Sequence, residues 1–228
     1  MNELISVLLS VHNDEMNISK AIESILTQKY ENIELLLIDD ASSDSTYDVC
    51  KEYSDIDSRI KLFKNNENQG LTKSLNKLIK ESNGVFIARQ DSDDISYNGR
   101  LVDQYNLLIN SDFHACTSLA KIKGTTRVIP GFTKYLSPNI TMKFKNPFIH
   151  GTLLIKSEIL KKVGMYNESF YYAQDYKLFK DLIDRKYKIK IMKKVLYEIN
   201  MIDNISVKNK KDQAYFAKCV RRNITPEL

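Results

Sequence analysis

The chain has 228 residues, 43% of them hydrophobic and 28% charged, with a net charge of +5, which fits one soluble globular domain with a full core. Three widely spaced cysteines, Cys50, Cys116 and Cys219, exclude a disulfide framework and a zinc pattern and read as reduced thiols of a cytosolic protein. No stretch approaches the length of a membrane span, and the opening "MNELISVLLSVHNDE" lacks the basic region of a signal peptide, so a cytoplasmic location is expected.

The first half alternates strand and helix. Ile5 to Val11 is a short β-branched run and reads as a strand. Ile18, Ala21, Ile22, Ile25 and Leu26 recur at helical spacing, with Asn13 or Asp14 as candidate N-caps. Ile33 to Ile38 is a second strand, Ser43-Asp44-Ser45 caps a helix through about Tyr53, and Ile60 to Phe63 is a third strand. After the turn chemistry of "NNENQG", the stripe Leu71, Leu75, Leu78 and Ile79 predicts a helix that stops at Asn83-Gly84, followed by a strand at Val85 to Ala88. A β-α-β-α-β-α-β order implies an α/β fold, with a mostly parallel, Rossmann-like sheet covered by helices on both faces.

The second half is less regular. Leu101 to Ile109 reads as a helix, and Phe113 to Ile122 with Val128-Ile129 as strands around a turn at Gly124. "FIHGTLLIK", Phe148 to Lys156, reads as one further strand and Asp175 to Ile183 as a helix. With no internal repeat or flexible linker, the simplest account is a single domain with a mixed sheet in its second half.

Charge is unevenly spread. Residues 185–228 hold 12 Lys/Arg against 4 Asp/Glu, net +8, and the remainder is net −3. A lysine-rich end is either a solvated face or a patch for an anionic partner: a membrane surface, a nucleic acid or a lipid pyrophosphate.

In open parallel sheets, ligands bind outside the carboxyl ends of the strands. Here those ends are Ser10-Val11-His12-Asn13, Asp39-Asp40 and Asp91-Ser92-Asp93-Asp94, so polar and mostly acidic loops converge on one edge. No GxGxxG or GxxxxGK[ST] loop is present to hold phosphate on backbone N–H groups. Clustered aspartates repel a bare diphosphate. With a divalent metal between them the sign reverses, and carboxylate, diphosphate and water oxygens make a shell suited to Mg²⁺ or Mn²⁺. Asp94 also reads as a cap for the helix that follows.

Two other acidic folds fit less well. Asp39-Asp40 is like the acidic pair of a phosphorylation receiver, but that pair ends a first strand. A haloacid-dehalogenase-type phosphatase carries its nucleophile near the N-terminus.

The segments "ISVLLSVHND", "IELLLIDDASSDST", "NENQGLTKSLN", "FIARQDSDDIS" and "YYAQDYKLFKDL", in this order across residues 5 to about 182, resemble bacterial family 2 glycosyltransferases. The resemblance implies the A-type glycosyltransferase fold over residues 1–200, with a nucleotide-binding half (1–95), an acceptor half (96–200) and a basic extension over 201–228. It implies inverting transfer of a hexosyl or N-acetylhexosaminyl group from a nucleotide-sugar donor, most often UDP-linked, with divalent metal. The acceptor implied is a hydroxyl of a glycan or lipid-linked saccharide in surface polysaccharide synthesis, and no nucleic acid is involved. A peripheral contact of the basic end with an anionic membrane surface fits that setting.

By the same resemblance, Asp40 binds the nucleobase and Ser10 and His12 line its pocket. Asp91-Ser92-Asp93 is the DxD motif, with Asp93 as metal ligand and Asp91 facing ribose and metal shell. Arg89 faces the diphosphate or pairs with Asp91. Asp175 is the base that deprotonates the acceptor, with Gln174 and His150 on the acceptor side. Two positions depart from the family pattern: Gln174-Asp175 stands where Glu-Asp is frequent, and Leu178-Phe179-Lys180-Asp181 lacks the usual arginine. The alternative is a non-catalytic nucleotide-sugar-binding or assembly subunit of the same fold. A sugar nucleotidyltransferase would open with a Gly-rich phosphate loop, absent here.

Overall fold

Ile5–Val11 and Ile33–Asp39 are buried along nearly their whole length, as strands must be when helices cover both faces of their sheet. In the computed structural model, which describes residues 2–201 and 210–227, β1 (Ile5–Val11), β2 (Ile33–Asp39), β3 (Ile60–Lys64) and β4 (Phe86–Asp91) run parallel in the order β3-β2-β1-β4. The crossovers are α1 (Ile18–Leu26), α2 (Thr46–Ile56) and α3 (Leu71–Glu81). Leu35 and Leu37 join the core on the side of Ile18, Ile22 and Ile25, while Leu36 and Ile38 join the opposite core with Leu75, Leu78 and Ile79. The period-2 alternation of side chains thus feeds two cores from one strand.

The second half adds β5 (Ile95–Ser96), α4 (Arg100–Ile109), β6 (Ala115–Ile122), β7 (Val128–Ile129), the one-turn α5 (Pro138–Thr141), β8 (Leu154–Lys156), α6 (Ser157–Lys162), α7 (Gln174–Asp184), β9 (Ile189–Ile199) and α8 (Lys210–Arg222). The sheet continues from β4 through β8, β6 and β9 to β5, with β7 also on β6. It is mixed here, since β8 is antiparallel to β4 and β6 while β9 is parallel to β6. The single α/β domain with a mixed second half is as the sequence implies.

Several local expectations are corrected. Asn17, not Asn13 or Asp14, is the N-cap of α1, and the Asp14 carbonyl accepts the Asn17 and Ile18 N–H groups. Asp94 caps no helix: a short strand follows it, α4 begins only at Arg100, and its Oδ1 accepts the Asn200 N–H at 2.7 Å. The expected strand from Phe148 to Lys156 is a strand only over β8. Before it, His150–Thr152 forms a tight 3-10 turn in which the Thr152 N–H and hydroxyl both donate to the Ile149 carbonyl.

β5, α6, β9 and α8 add elements that the sequence reading lacks. The expected basic extension over 201–228 lies outside the described residues at 202–209 and 228. Its described part includes α8, which buries Phe216, Cys219 and Val220 in the core shared with α7. Among the described residues, no helix is long and apolar enough to cross a membrane.

Candidate active site

β4 ends at Asp91, and Ser92-Asp93-Asp94 turns the chain back into β5. This acidic turn is held from four sides. The Asp91 N–H donates to the Tyr197 hydroxyl at 3.1 Å, and Arg89 Nη2 donates to Asp91 Oδ1 at 2.6 Å. Ser92 Oγ donates to Asp14 Oδ2 at 2.7 Å, tying the turn to the loop after β1. The Asp94 carboxylate takes the Asn200 N–H beyond β9. Gly151 closes the fourth side: a Cβ there would lie 2.5 Å from the Tyr197 hydroxyl and 2.6 Å from Asp91 Oδ2, so any larger residue would force the turn or Tyr197 to shift.

Crowding of like charge is the electrostatic character of the turn. Burial, then the charges of Asp91 and Asp14, push Asp93 up to about 6, with Lys123 pulling weakly the other way. Burial, then Asp91 and Asp93, push Asp94 up to about 9.

Beneath the turn lies a buried polar brace. Arg100 is completely buried; its Nη2 donates to the Arg89 carbonyl at 2.5 Å, its Nη1 to Ser96 Oγ at 2.5 Å and Gln90 Oε1 at 3.1 Å, and its Nε to Gln104 Oε1 at 3.1 Å. Gln90 Nε2 in turn donates to the carbonyls of Asp91 and Asp94, both at 2.9 Å. Arg89 is 2% exposed, and its guanidinium also donates to the carbonyls of Leu8 and Gln90. Of the two expectations for Arg89, the geometry is that of the ion pair with Asp91, inside the sheet rather than on its surface.

The ends of β1 and β2 sit beside this turn. Ser10 is the register partner of both Asp91 and Ile38. His12 is exposed, and its Nδ1 lies 2.9 Å from the Asp40 carbonyl oxygen. Asp40 is 3% exposed, and its carboxylate accepts Asn65 Nδ2 at 2.7 Å, the Gln69 N–H at 2.9 Å and the Gly70 N–H at 2.8 Å. It therefore organises the loop that enters α3. Asp39, fully buried, has one carboxylate oxygen without a hydrogen-bond partner.

Asp175 sits in the first turn of α7, after Ala173 in the left-handed region at φ 54°. Burial raises its pKa. Opposing it are the Tyr176 N–H and Asn146, whose Nδ2 donates to Asp175 Oδ2 at 2.7 Å, and the Asp91 charge adds to the rise. Gln174 begins the same helix. His150 Nε2 lies 2.6 Å from the Tyr166 hydroxyl, and burial together with the nearby Arg89 charge lowers its pKa to about 3. His150 is thus a neutral hydrogen-bonding group at physiological pH.

The residues brought together beyond the expected ones are Asp14, Asn146, Tyr197 and the Gln90–Arg100 brace. Asp14 carried a signal only as a helix cap, and nothing local marked the others.

The donor set suits a hard cation. Among the described residues, no three or more His, Cys, Asp or Glu side chains form a ready cation cage. Mg²⁺-type sites use one or two carboxylates and take their remaining oxygens from substrate phosphates and water. Asp91 and Asp93 fit that arrangement, and a cation there would offset both the burial and the neighbouring carboxylate charges that raise Asp93.

The family model described as Glycosyl transferase family 2 matches residues 6–187. The chain belongs to this family. Among curated relatives, it is 34% identical to the Bacillus subtilis protein EpsE over 170 residues, covering 71% of this chain and 59% of EpsE. It is 30% identical to the Escherichia coli O-antigen biosynthesis glycosyltransferase WbnJ over 183 residues, covering 78% of this chain and 70% of WbnJ. The chain thus spans under two thirds of the length of EpsE.

Among solved structures, Staphylococcus aureus TarS residues 1–349 in complex with UDP-GlcNAc superpose with a TM-score of 0.76 at 19% identity, over 95% of this chain and 65% of that one. The mannosyltransferase PcManGT from Pyrobaculum calidifontis, in complex with GDP-Man and Mn²⁺, gives 0.75 at 18% identity, over 97% and 65%. The fold is therefore the A-type glycosyltransferase fold.

Proposed function

We propose that this chain transfers a sugar from a nucleotide-sugar donor, UDP-linked, to a hydroxyl of a glycan or lipid-linked saccharide, inverting the anomeric carbon and using Mn²⁺ or Mg²⁺. Its setting is surface polysaccharide synthesis on the cytoplasmic side of the membrane. Support comes from the nucleotide sugars bound by the structural neighbours, UDP-GlcNAc in TarS and GDP-Man with Mn²⁺ in PcManGT, and from the O-antigen role of WbnJ.

The observation that carries the reading is the acidic turn itself: Asp91, Asp93 and Asp94 fall within four positions at the carboxyl end of β4, with Asp91 held by Arg89 and the Tyr197 hydroxyl. Asp91 and Asp93 would hold the metal, which when bound neutralises charge growing on the diphosphate. Asp175 accepts the proton of the acceptor hydroxyl as its oxygen attacks the anomeric carbon. The carbon–oxygen bond to the diphosphate breaks, and the nucleoside diphosphate leaves with the electron pair. One displacement inverts the configuration. Burial suits Asp175 to this role by raising its basicity.

Release of nucleoside diphosphate from a panel of UDP- and GDP-sugars with Mn²⁺ tests the reading. EDTA-sensitive turnover of at least one UDP-sugar is expected. Binding without turnover across the panel overturns it in favour of a non-catalytic binding subunit.

A further inference from the structure

Residues 113–157 contain seven lysines and arginines and no aspartate or glutamate. Inside this stretch, Phe132 is 75% exposed, Tyr135 62%, Leu136 40%, Ile140 57% and Phe144 72%. Single exposed apolar residues are ordinary on a protein surface, but five large ones within thirteen residues of chain are not. The segment is firmly seated from below: Met142 is buried, and its carbonyl accepts the Tyr176 hydroxyl at 2.6 Å. Its two short turns, Phe132–Tyr135 and α5, bury almost nothing of their own.

Lysines surround the apolar tips. Lys143 and Lys145 are exposed, Lys134 Nζ lies 5.3 Å from the centre of the Tyr135 ring, and Lys193 of β9 lies 4.9 Å from the same ring. A break in the β6–β9 register, where Ser118 pairs with Met192 and Leu119 with Val195, leaves Lys193 and Lys194 out of the ladder. Lys194 is taken by Asp103, whereas among the described residues Lys193 forms no ion pair with a carboxylate.

Apolar tips ringed by lysine call for an anionic partner with an apolar interior. Two copies of this face would set lysine against lysine, which disfavours self-association. Single-stranded nucleic acid would use the aromatic rings, but Leu136 and Ile140 offer a base no stacking surface. A bilayer surface uses all of them: aromatic and aliphatic tips enter the headgroup region and lysines meet the lipid phosphates. We infer that residues 132–145 are an interfacial anchor that seats this chain on an anionic lipid membrane. Asn146, which directly follows, bonds Asp175, so the anchor borders the expected acceptor side. The inference stands whether or not the transfer reading holds.

The test is co-flotation of the full chain with phosphatidylglycerol-containing vesicles and with pure phosphatidylcholine vesicles, at low and high salt. Wild type should float with the anionic vesicles at low salt and be released by salt. Phe132→Ser with Phe144→Ser, and separately Lys143→Gln with Lys145→Gln, should each lower the partition by roughly tenfold or more while the thermal midpoint stays at the wild-type value.

Several results overturn the inference. These are no flotation of wild type, equal flotation with neutral vesicles, or flotation that both double variants leave intact. A concentration-dependent dimer that the Phe variants dissociate would assign the face to a second copy. Tighter binding of a single-stranded oligonucleotide than of vesicles would assign it to nucleic acid.

Discussion

Asn146 Nδ2 donates to Asp175 Oδ2 across 2.7 Å, joining the lysine-rich segment to the first turn of α7. The bond stabilises the ionised carboxylate, whereas burial, the larger effect, opposes ionisation. Removing the amide should therefore move the Asp175 pKa further up. In Asn146→Ala, the acidic limb of the pH–rate profile should shift to higher pH, with activity recovering as pH rises. An unshifted limb would separate Asn146 from the proton transfer.

Asp175→Asn keeps the side-chain size and can still accept from Asn146 but cannot take a proton. Turnover should fall by roughly 10²–10⁴, with UDP and Mn²⁺ binding intact. The stability consequence has a definite sign. A carboxyl whose pKa is raised by folding contributes stability that is present in acid and lost as pH rises from its unfolded toward its folded pKa. The asparagine carries no such penalty. Its thermal midpoint should match or exceed wild type at neutral pH, and the advantage should vanish in acid. A destabilised variant at neutral pH would mean that the carboxylate is a structural cap.

The parallel half was legible because its strands are uninterrupted apolar runs and its turns are punctuated, as at Asn83-Gly84. The acidic turn was legible because three aspartates in four positions after such a run require a compensating charge. β9 was written in the sequence too, since lysines alternate with Tyr187, Ile189 and Ile191, but its charge obscured its period, and the break at Lys193-Lys194 interrupts it. At Phe148 to Lys156, an apolar run could not distinguish a strand from a tight turn. What chose the turn is the close approach of Gly151 to Tyr197 and Asp91, a tertiary fact. Tyr197, Asn146 and Asp14 reach the site from elements distant in sequence, so no local pattern announces them.

If Asp93 is a metal ligand, Asp93→Asn removes an anionic oxygen from the cation shell. Transfer should drop sharply, and UDP affinity should weaken in Mn²⁺ but change little in EDTA. Calorimetric titration of UDP with and without metal distinguishes the cases. Equal loss under both conditions would point to a direct donor contact instead.

Gly151→Ala should be costly although it adds one methyl group. The new carbon would contact the Tyr197 hydroxyl and Asp91 Oδ2 inside ordinary van der Waals distance, so the turn or β9 must move. Overpacking of this kind costs about 1–3 kcal/mol, read as a lowered denaturation midpoint. Because Tyr197 holds the Asp91 N–H, UDP binding in Mn²⁺ should weaken as well. A midpoint equal to wild type would show that this side of the turn yields.

Arg100 supplies the last prediction, because it is a fully buried cation that bonds neutral groups rather than a carboxylate. Burial lowers its pKa to about 10, which leaves it charged at neutral pH, with the Tyr197 ring 5.2 Å from its guanidinium carbon. Its four hydrogen bonds reach Arg89, Gln90, Ser96 and Gln104 from one planar fork. Arg100→Ala would strip the buried Arg89 carbonyl and Gln104 Oε1 of this donor, while Ser96 Oγ and Gln90 Oε1 keep their bond to each other. At about 1–3 kcal/mol for each group that water cannot reach, a loss of at least about 2 kcal/mol is expected. Arg100→Lys should rescue little, since a single ammonium cannot span the same four acceptors. The damage should also reach the site. Gln90, released on one side, is the residue whose amide holds the Asp91 and Asp94 carbonyls. Under conditions where the lysine variant remains folded, its UDP affinity in Mn²⁺ should therefore be weaker than wild type. Wild-type affinity and stability in Arg100→Lys would show that a buried charge alone, not the fork, maintains the acidic turn.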